Sequence, residues 1–232
     1  MEPADYDAWY RTPRGAWIGE QESRLLQRML DPRPGETLLD VGCGTGYFMQ
    51  RFAAESECQV TGLDMDCSWV GYAASQSAGN EAYVCGTALE LPFGSGAFDL
   101  AISVAALCFV TDQRRGIQEI LRVTKRRFAI GLLHRRSLLY WRKGRGGGKG
   151  AYSGVHWHTE SEIRDLFSGL PAANLQVRAA VALPAGGAFA QSMEPLLSSW
   201  WPFASFIAIA GDVVPQSNLQ RGSDGSEMRI GD

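Results

Sequence analysis

The residues best placed to do chemistry are the run Leu39-Asp-Val-Gly-Cys-Gly-Thr-Gly46 and, 18 residues beyond Gly46, the acid of Gly62-Leu-Asp64. Glycines at 42, 44 and 46 let a backbone turn sharply and approach a ligand closely. A helix opening just after them would offer unpaired N–H groups. Asp64 can accept two hydrogen bonds from a ribose diol, the task of the acid after the second strand in nucleotide-binding α/β folds. Its competing use is as a helix cap, which Asp66 serves better. In a dinucleotide loop the third glycine falls one residue later, where this chain has Tyr47, and Gly-Lys-Ser/Thr is absent. A nicotinamide-dependent oxidoreductase is therefore disfavoured.

A second concentration of chemistry lies after residue 133. All three histidines, His134, His156 and His158, fall there. Between Ile120 and Thr159 there is no Asp or Glu, while ten Lys/Arg occur, at 122, 125, 126, 127, 135, 136, 142, 143, 145 and 149. Tyr140, Trp141, Tyr152 and Trp157 stand among them. A one-sign run sets up a field for an anionic acceptor or surface, or is a solvated helix end and loop. A histidine that titrates near neutrality is the natural base for a phenol, thiol or hydroxyl. His134 and His156 are the candidates, whereas His158 can simply pack beside a cap at Thr159. No metal site is expected at the His-x-His pair.

These residues need elements to hold them. Leu25, Leu26, Met29 and Leu30 mark a helix over 17–30 that Asp-Pro-Arg-Pro-Gly ends. Short apolar runs predict strands at 37–41, 59–63, 82–85, 98–104 and 128–133. Helical patterns fall at 47–55, 69–78 and 113–124, the last capped by Asp112. Strands alternating with helices at this pitch mean crossovers and a parallel sheet covered on both faces. Thr159-Glu-Ser-Glu162 reads as a capping box. Strands at 175–183 and 203–210 follow, with a helix within 188–200 between them. The polar, glycine-rich stretch 216–232 reads as a disordered tail.

Asp40-Val-Gly-Cys-Gly-Thr-Gly46, Gly62-Leu-Asp64, Leu89-Glu-Leu-Pro-Phe93 and Phe98-Asp-Leu100 occur in order. In this the chain resembles the class I S-adenosylmethionine (SAM)-dependent methyltransferases, and among them the ubiquinone/menaquinone-biosynthesis-like (type 11) group. The resemblance is clear over about residues 5–133. It implies one Rossmann-like α/β domain over 1–215. Its seven-stranded sheet would have order 3-2-1-4-5-7-6, with the last strand antiparallel. SAM would lie over the carboxyl ends of the first four strands and leave as S-adenosylhomocysteine. The loop Gly42, Cys43, Gly44 and Gly46 would pass beneath its methionine and ribose parts, supported by Asp40. Asp64 would take the ribose hydroxyls, and Met65 would pack on adenine. Ser103 and Val104 would present backbone to the methionine end. The family often has an aspartate where this chain has Thr87. The adenine contact would then pass to that hydroxyl, or to the backbone of Ala88 and Leu89. The aromatic-dense segment carrying Tyr6 and Tyr10 would form part of an N-terminal helical lid over 1–30. Residues 134–160 would be a basic insert on the acceptor side.

The acceptor is narrowed by what is absent. After strand four stands Ser103-Val-Ala-Ala106, not the Asn/Asp-Pro-Pro-aromatic motif of amide and exocyclic-amine enzymes. No glutamate pair lies there, as protein-arginine enzymes would have, and no proline precedes a cysteine, as carbon-5 cytosine enzymes need. A small molecule remains, aromatic or anionic, methylated on O, S or C. A net charge of −3 argues against a DNA partner. The alternative is a non-catalytic SAM-binding protein whose basic segment docks RNA, an anionic membrane surface or a protein. The start Met-Glu-Pro-Ala-Asp shows no signal peptide. No transmembrane segment is expected, and five scattered cysteines read as reduced thiols in a cytoplasmic protein.

Overall fold

A computed structural model describes residues 2–79, 81–197 and 202–215. Two helices precede the sheet, α1 (Pro3–Tyr10) and α2 (Pro13–Leu30). α2 starts four residues before the apolar spacing predicts, because Thr12 caps it. The Thr12 hydroxyl accepts from the Gly15 N–H at 3.0 Å, and Pro13 fills the first turn, where its missing N–H costs nothing. Asp31 in the left-handed conformation ends it, its N–H bonded to Gln27, and Pro32 forbids continuation.

The sheet strands are β1 (Thr37–Val41), β2 (Gln59–Asp64), β3 (Glu81–Cys85), β4 (Phe98–Val104), β5 (Thr124–Leu133), β6 (Ala172–Ala180) and β7 (Phe206–Val213). Their order is β3-β2-β1-β4-β5-β7-β6, with β7 antiparallel to both neighbours. That is the expected Rossmann-like arrangement. The crossovers are α3 (Tyr47–Ser56), α4 (Cys67–Ser75), α5 (Gln113–Val123), α6 (Glu160–Leu166) and α7 (Ala188–Leu197).

Alternate residues of each strand serve opposite cores. Leu38, Val60, Leu100 and Ile102 join Leu26, Leu30, Met49 and Phe52 on one face. Leu39, Val41, Ala101, Phe128 and Ile130 join Ile117, Ile120, Ile163 and Phe167 on the other. Each large side chain so buried contributes about 1.5–3 kcal/mol.

β5 begins at Thr124, not at Phe128, so three cations lie within a strand. Lys125 pairs with Asp99, Arg126 with Glu36 and Arg127 with Asp212. β6 ends at Ala180 because Val181 turns to φ +63°. The Glu194 carboxylate accepts the N–H groups of Val181 and Ala182 there, at 2.6 and 2.9 Å. The capping box is present, with Thr159 and Glu162 bonding reciprocally. No helix among the described residues is long and apolar enough to cross a membrane. The expected tail over 216–232 and the pair Trp200-Trp201 lie outside the described residues.

Candidate active site

The glycine loop leaves β1 and is tied to the end of β2. The N–H groups of Gly42 and Cys43 both donate to the Leu63 carbonyl, at 2.7 and 3.0 Å. Gly44 N–H donates to Asp64 Oδ2 at 2.9 Å, and Asp66 N–H to Asp64 Oδ1 at 3.0 Å. The two sequence-predicted groups are thus bonded to each other. Each carboxylate oxygen keeps a lone pair for a further donor. Asp66 caps α4, its carboxylate accepting from Ser68 N–H at 2.9 Å. That frees Asp64 from the capping role.

Gly42, Gly44 and Gly46 all have positive φ, at 82°, 55° and 84°. A Cβ on Gly42 would sit 2.1 Å from the Cβ of Ala106. So the end of β4 presses against the loop. Ala105 there is itself left-handed, φ +56°, with its N–H bonded to Gly131. Such strain costs about 1–3 kcal/mol and gathers at functional sites.

Asp40 is buried beneath the loop, and its Oδ1 has no hydrogen-bond partner. Burial, then the neighbouring Asp64 charge, push its carboxyl up to about 8. Ser103 is fully buried and its Oγ is also unpartnered, while Val104 is half-buried beside it. Met65 is 78% exposed, an apolar side chain presented to solvent next to Asp64. The Thr87 hydroxyl accepts from Leu89 N–H at 3.2 Å, which makes a local turn through Ala88.

The N-terminal aromatics stand against this loop. Tyr10 stacks on Tyr47 with ring centroids 3.8 Å apart. Tyr6 meets Trp69 at 5.3 Å, and a Cβ on Gly44 would meet that indole at 3.6 Å. The Tyr6 and Tyr10 hydroxyls are 3.3 Å apart. These contacts also fasten α1 to α3 and α4.

The cysteines depart from expectation. Cys67 and Cys85 form a disulfide, leaving Cys43, Cys58 and Cys108 as buried thiols. The cause is register. β3 pairs with β2 so that Cys85 lies opposite Asp64, three residues from Cys67 at the start of α4. A one-dimensional count of spacings cannot see that pairing. Both half-cystines are exposed and flank Met65. Replacing both by serine is expected to cost roughly 3 kcal/mol, the loop-closure entropy of an 18-residue separation. A denaturant midpoint equal in the variant and the oxidised protein would show that no bond forms.

The three histidines have different surroundings. His134 is buried, its Nδ1 2.9 Å from the Ala204 carbonyl, and burial lowers its pKa. It lines a cavity of about 280 Å³ with Arg136, Thr159, Glu160, Ser161 and Pro202, two strands from the glycine loop. His158 is buried beside the Thr159 cap, its Nε2 2.9 Å from Gln113 Oε1. His156 is exposed, its ring 4.6 Å from that of His158. Burial, then His156, lower the His158 pKa from 6.5 to about 4. The fold therefore favours the neutral ring. Its contribution is complete above pH 6.5 and is lost as pH falls towards about 4. His158→Gln is expected to flatten the acid limb of a melting curve series over that window. An unaltered limb would show that the ring titrates normally.

The basic run is also less uniform than its sequence. Arg122 pairs with Glu119, the three β5 cations are paired, and Arg135 pairs with Glu162. Arg145 lies over Trp141 at 4.8 Å. The pairing acids come from outside 120–159, so a local charge count misses them.

Sequence reasoning passed over Glu22. It lies on α2 four residues after buried Ile18 and four before fully buried Leu26, on the inward stripe. A carboxylate on an apolar stripe was the available signal. Burial pushes it up to about 8, with no partner to offset it.

Residues 39–128 match the family model described as a methyltransferase domain. The O-methyltransferase cnsE of Penicillium expansum is 34% identical over 113 residues, 47% of this chain and 41% of that protein. The 24-methylenesterol C-methyltransferase 3 of Arabidopsis thaliana is 36% identical over 102 residues, 42% of this chain and 28% of that one. The chain therefore spans less than half the length of the curated relatives it matches. The crystal structure of a SAM-dependent methyltransferase of Thermotoga maritima, described as a possible histamine N-methyltransferase, superposes with a TM-score of 0.74. It has 22% identity and covers 90% of this chain and 95% of that one, a likeness of fold.

Proposed function

We propose that this chain, whose residues 39–128 match a methyltransferase-domain model, is a class I SAM-dependent methyltransferase that binds SAM over its glycine loop and transfers the methyl group to a small molecule. The observation that carries the reading is the bond between Gly44 N–H and the Asp64 carboxylate beside the exposed Met65. One acid thereby holds the loop open and keeps acceptor capacity for a diol, next to an apolar surface for a base.

The residues fit the group. Met65 offers the apolar wall, Asp64 the diol acceptor, and Thr87, Ala88 and Leu89 the polar edge. Gly42, Cys43, Gly44 and Gly46 supply the close backbone approach. The unpartnered Asp40 Oδ1 and Ser103 Oγ are buried polar atoms that a donor would satisfy. Bound SAM supplies an electrophilic methyl group on a sulfonium. The chain then has to align the acceptor and exclude water. Tyr6 and Tyr10 on α1 close that side. His134 and His156 stay as proposed bases, with His156 the one exposed to solvent. The named relatives act on oxygen and on carbon, so they do not agree on the attacked atom.

The setting proposed is cytoplasmic, where the Cys67–Cys85 pair would be held as thiols. Calorimetric titration with SAM and with S-adenosylhomocysteine tests the cofactor reading, and micromolar binding of both is expected. Binding of neither removes it. Transfer of labelled methyl from SAM into a metabolite pool then tests the enzyme reading.

A further inference from the structure

Asp64 and Met65 sit in a ring closed by one main-chain hydrogen bond and one sulfur bridge. β3 is at the edge of the sheet, with β2 as its neighbour, and Cys85 lies opposite Asp64. The Gly86 N–H donates to the Asp64 carbonyl at 2.9 Å, which closes one side. Cys67 opens α4 with its Cα 5.1 Å from that of Cys85, and the bond between their sulfurs closes the other. That separation is one two cysteines span without moving the backbone. Asp64, Met65 and Asp66 run between the two closures. Cys85 Sγ is 3.9 Å from the Met65 carbonyl oxygen, and the Met65 side chain is presented to solvent. The same Asp64 braces the glycine loop through Gly44 N–H.

Thiol–disulfide exchange needs a thiolate and room for its partner. Cys67 and Cys85 are both exposed, so either can carry a mixed disulfide in solvent. The free thiols Cys43, Cys58 and Cys108 are buried, and burial pushes Cys58 up to about 11 and Cys108 up to about 12. Exchange is therefore directed to the pair beside Met65. With the bond open, residues 64–67 are tied to β3 by hydrogen bonds and packing alone. α4 also carries Trp69, which meets Tyr6 on α1 and lies 3.6 Å from where a Gly44 Cβ would be. A freer start to α4 thus loosens the acid, the apolar wall and the loop together, and ordering them on binding costs affinity.

We propose that Cys67 and Cys85 form a reversible redox modification site whose substrate is a small disulfide, and that the bonded form holds the methyl donor more tightly than the dithiol. The second half rests on the methyl-transfer reading. The thiolate of one cysteine attacks a sulfur of the small disulfide and expels one small thiol, leaving a mixed disulfide. The thiolate of the other attacks the protein sulfur of that mixed disulfide and expels the second. The two protein thiols lose two protons and two electrons, and the small disulfide takes up both as two thiols. In the reducing setting proposed above the dithiol is the resting form, and a rise in the small disulfide strengthens donor binding.

The full chain is equilibrated with reduced and oxidised glutathione over a range of ratios, and maleimide labelling with peptide mass mapping reads which cysteines are free. Cys67 and Cys85 are expected to be labelled in the reduced protein and protected together in the oxidised one. Cys43, Cys58 and Cys108 should stay unlabelled until the protein is unfolded. Calorimetric titration of S-adenosylhomocysteine into the two forms should show about three- to tenfold tighter binding to the bonded one, the gain from ordering one or two side chains in advance. The double variant Cys67→Ser/Cys85→Ser, its fold checked by thermal melting, should bind as the reduced protein does at every ratio. Labelling, or protection, of both cysteines at every ratio overturns the redox site. Equal affinity of the two wild-type forms, or weaker binding by the bonded one, overturns its control of the donor. These readouts need wild type alone, so a double variant that fails to fold does not shelter the proposal. If neither form binds SAM or S-adenosylhomocysteine, the methyl-transfer reading falls, and the labelling still decides the redox site.

Discussion

Gly42→Ala is expected to weaken S-adenosylhomocysteine binding by about a hundredfold or more, with the far-UV circular dichroism unchanged. Two costs add at this one position. A Cβ would sit 2.1 Å from that of Ala106, where the end of β4 already carries the left-handed Ala105. Overpacking of this kind costs about 1–3 kcal/mol. The φ of +82° adds about 1–2 kcal/mol for any residue with a side chain. The loop relieves both by moving, and its movement breaks the Gly44–Asp64 bond that opens the site. At 1.4 kcal/mol per factor of ten, the sum reaches the stated loss. The packing part is separable. Ala106→Gly in the same chain removes the colliding methyl group, so the double variant should recover the packing share and keep only the φ penalty. Normal binding in Gly42→Ala, or no recovery in the double variant, would mean that the loop is not held by β4.

The elements that hold this loop were readable because their signals are local. Thr37–Val41 and Phe98–Val104 are continuous apolar runs, and Asp112 and Thr159 are caps with their partners three residues on. The strand order was not readable from periodicity. It came from the resemblance, since pairing is a non-local property. The same limit explains the errors. β5 starts early because Lys125, Arg126 and Arg127 find acids on β4, before β1 and on β7. Cys67 meets Cys85 through the β2–β3 register. In the site, the loop and the acid were legible as types at a spacing, and the structure bonds them to each other. Glu22 was not, because the desolvation of a carboxyl on α2 arises only once α1 and α3 pack against that helix. The backbone pairing of His134 with His158 was not legible either, because it too joins segments distant in sequence.

Asp64→Ala is expected to weaken SAM by about 1.5–3 kcal/mol, the range for hydrogen bonds to a charged acceptor. That is roughly ten- to 150-fold in dissociation constant. The variant has two effects that must be separated. It removes the acceptor for Gly44 N–H at 2.9 Å and for Asp66 N–H at 3.0 Å, which loosens the loop. It also removes the proposed acceptor for the ribose hydroxyls. Asp64→Asn keeps an amide oxygen for one of the two N–H groups but loses the charge, so it should fall between wild type and Asp64→Ala. A cofactor analogue lacking the 2′-hydroxyl completes a cycle. If Asp64 holds the diol, wild type should bind that analogue more weakly than S-adenosylhomocysteine, whereas Asp64→Ala should distinguish the two by much less. If Asp64→Ala binds the cofactor as wild type does, the acid is no part of the site. If instead the variant loses affinity but discriminates the analogue as strongly as wild type, Asp64 acts only by bracing Gly44 and Asp66. The ribose must then be held from the loop itself or from the Thr87–Leu89 turn.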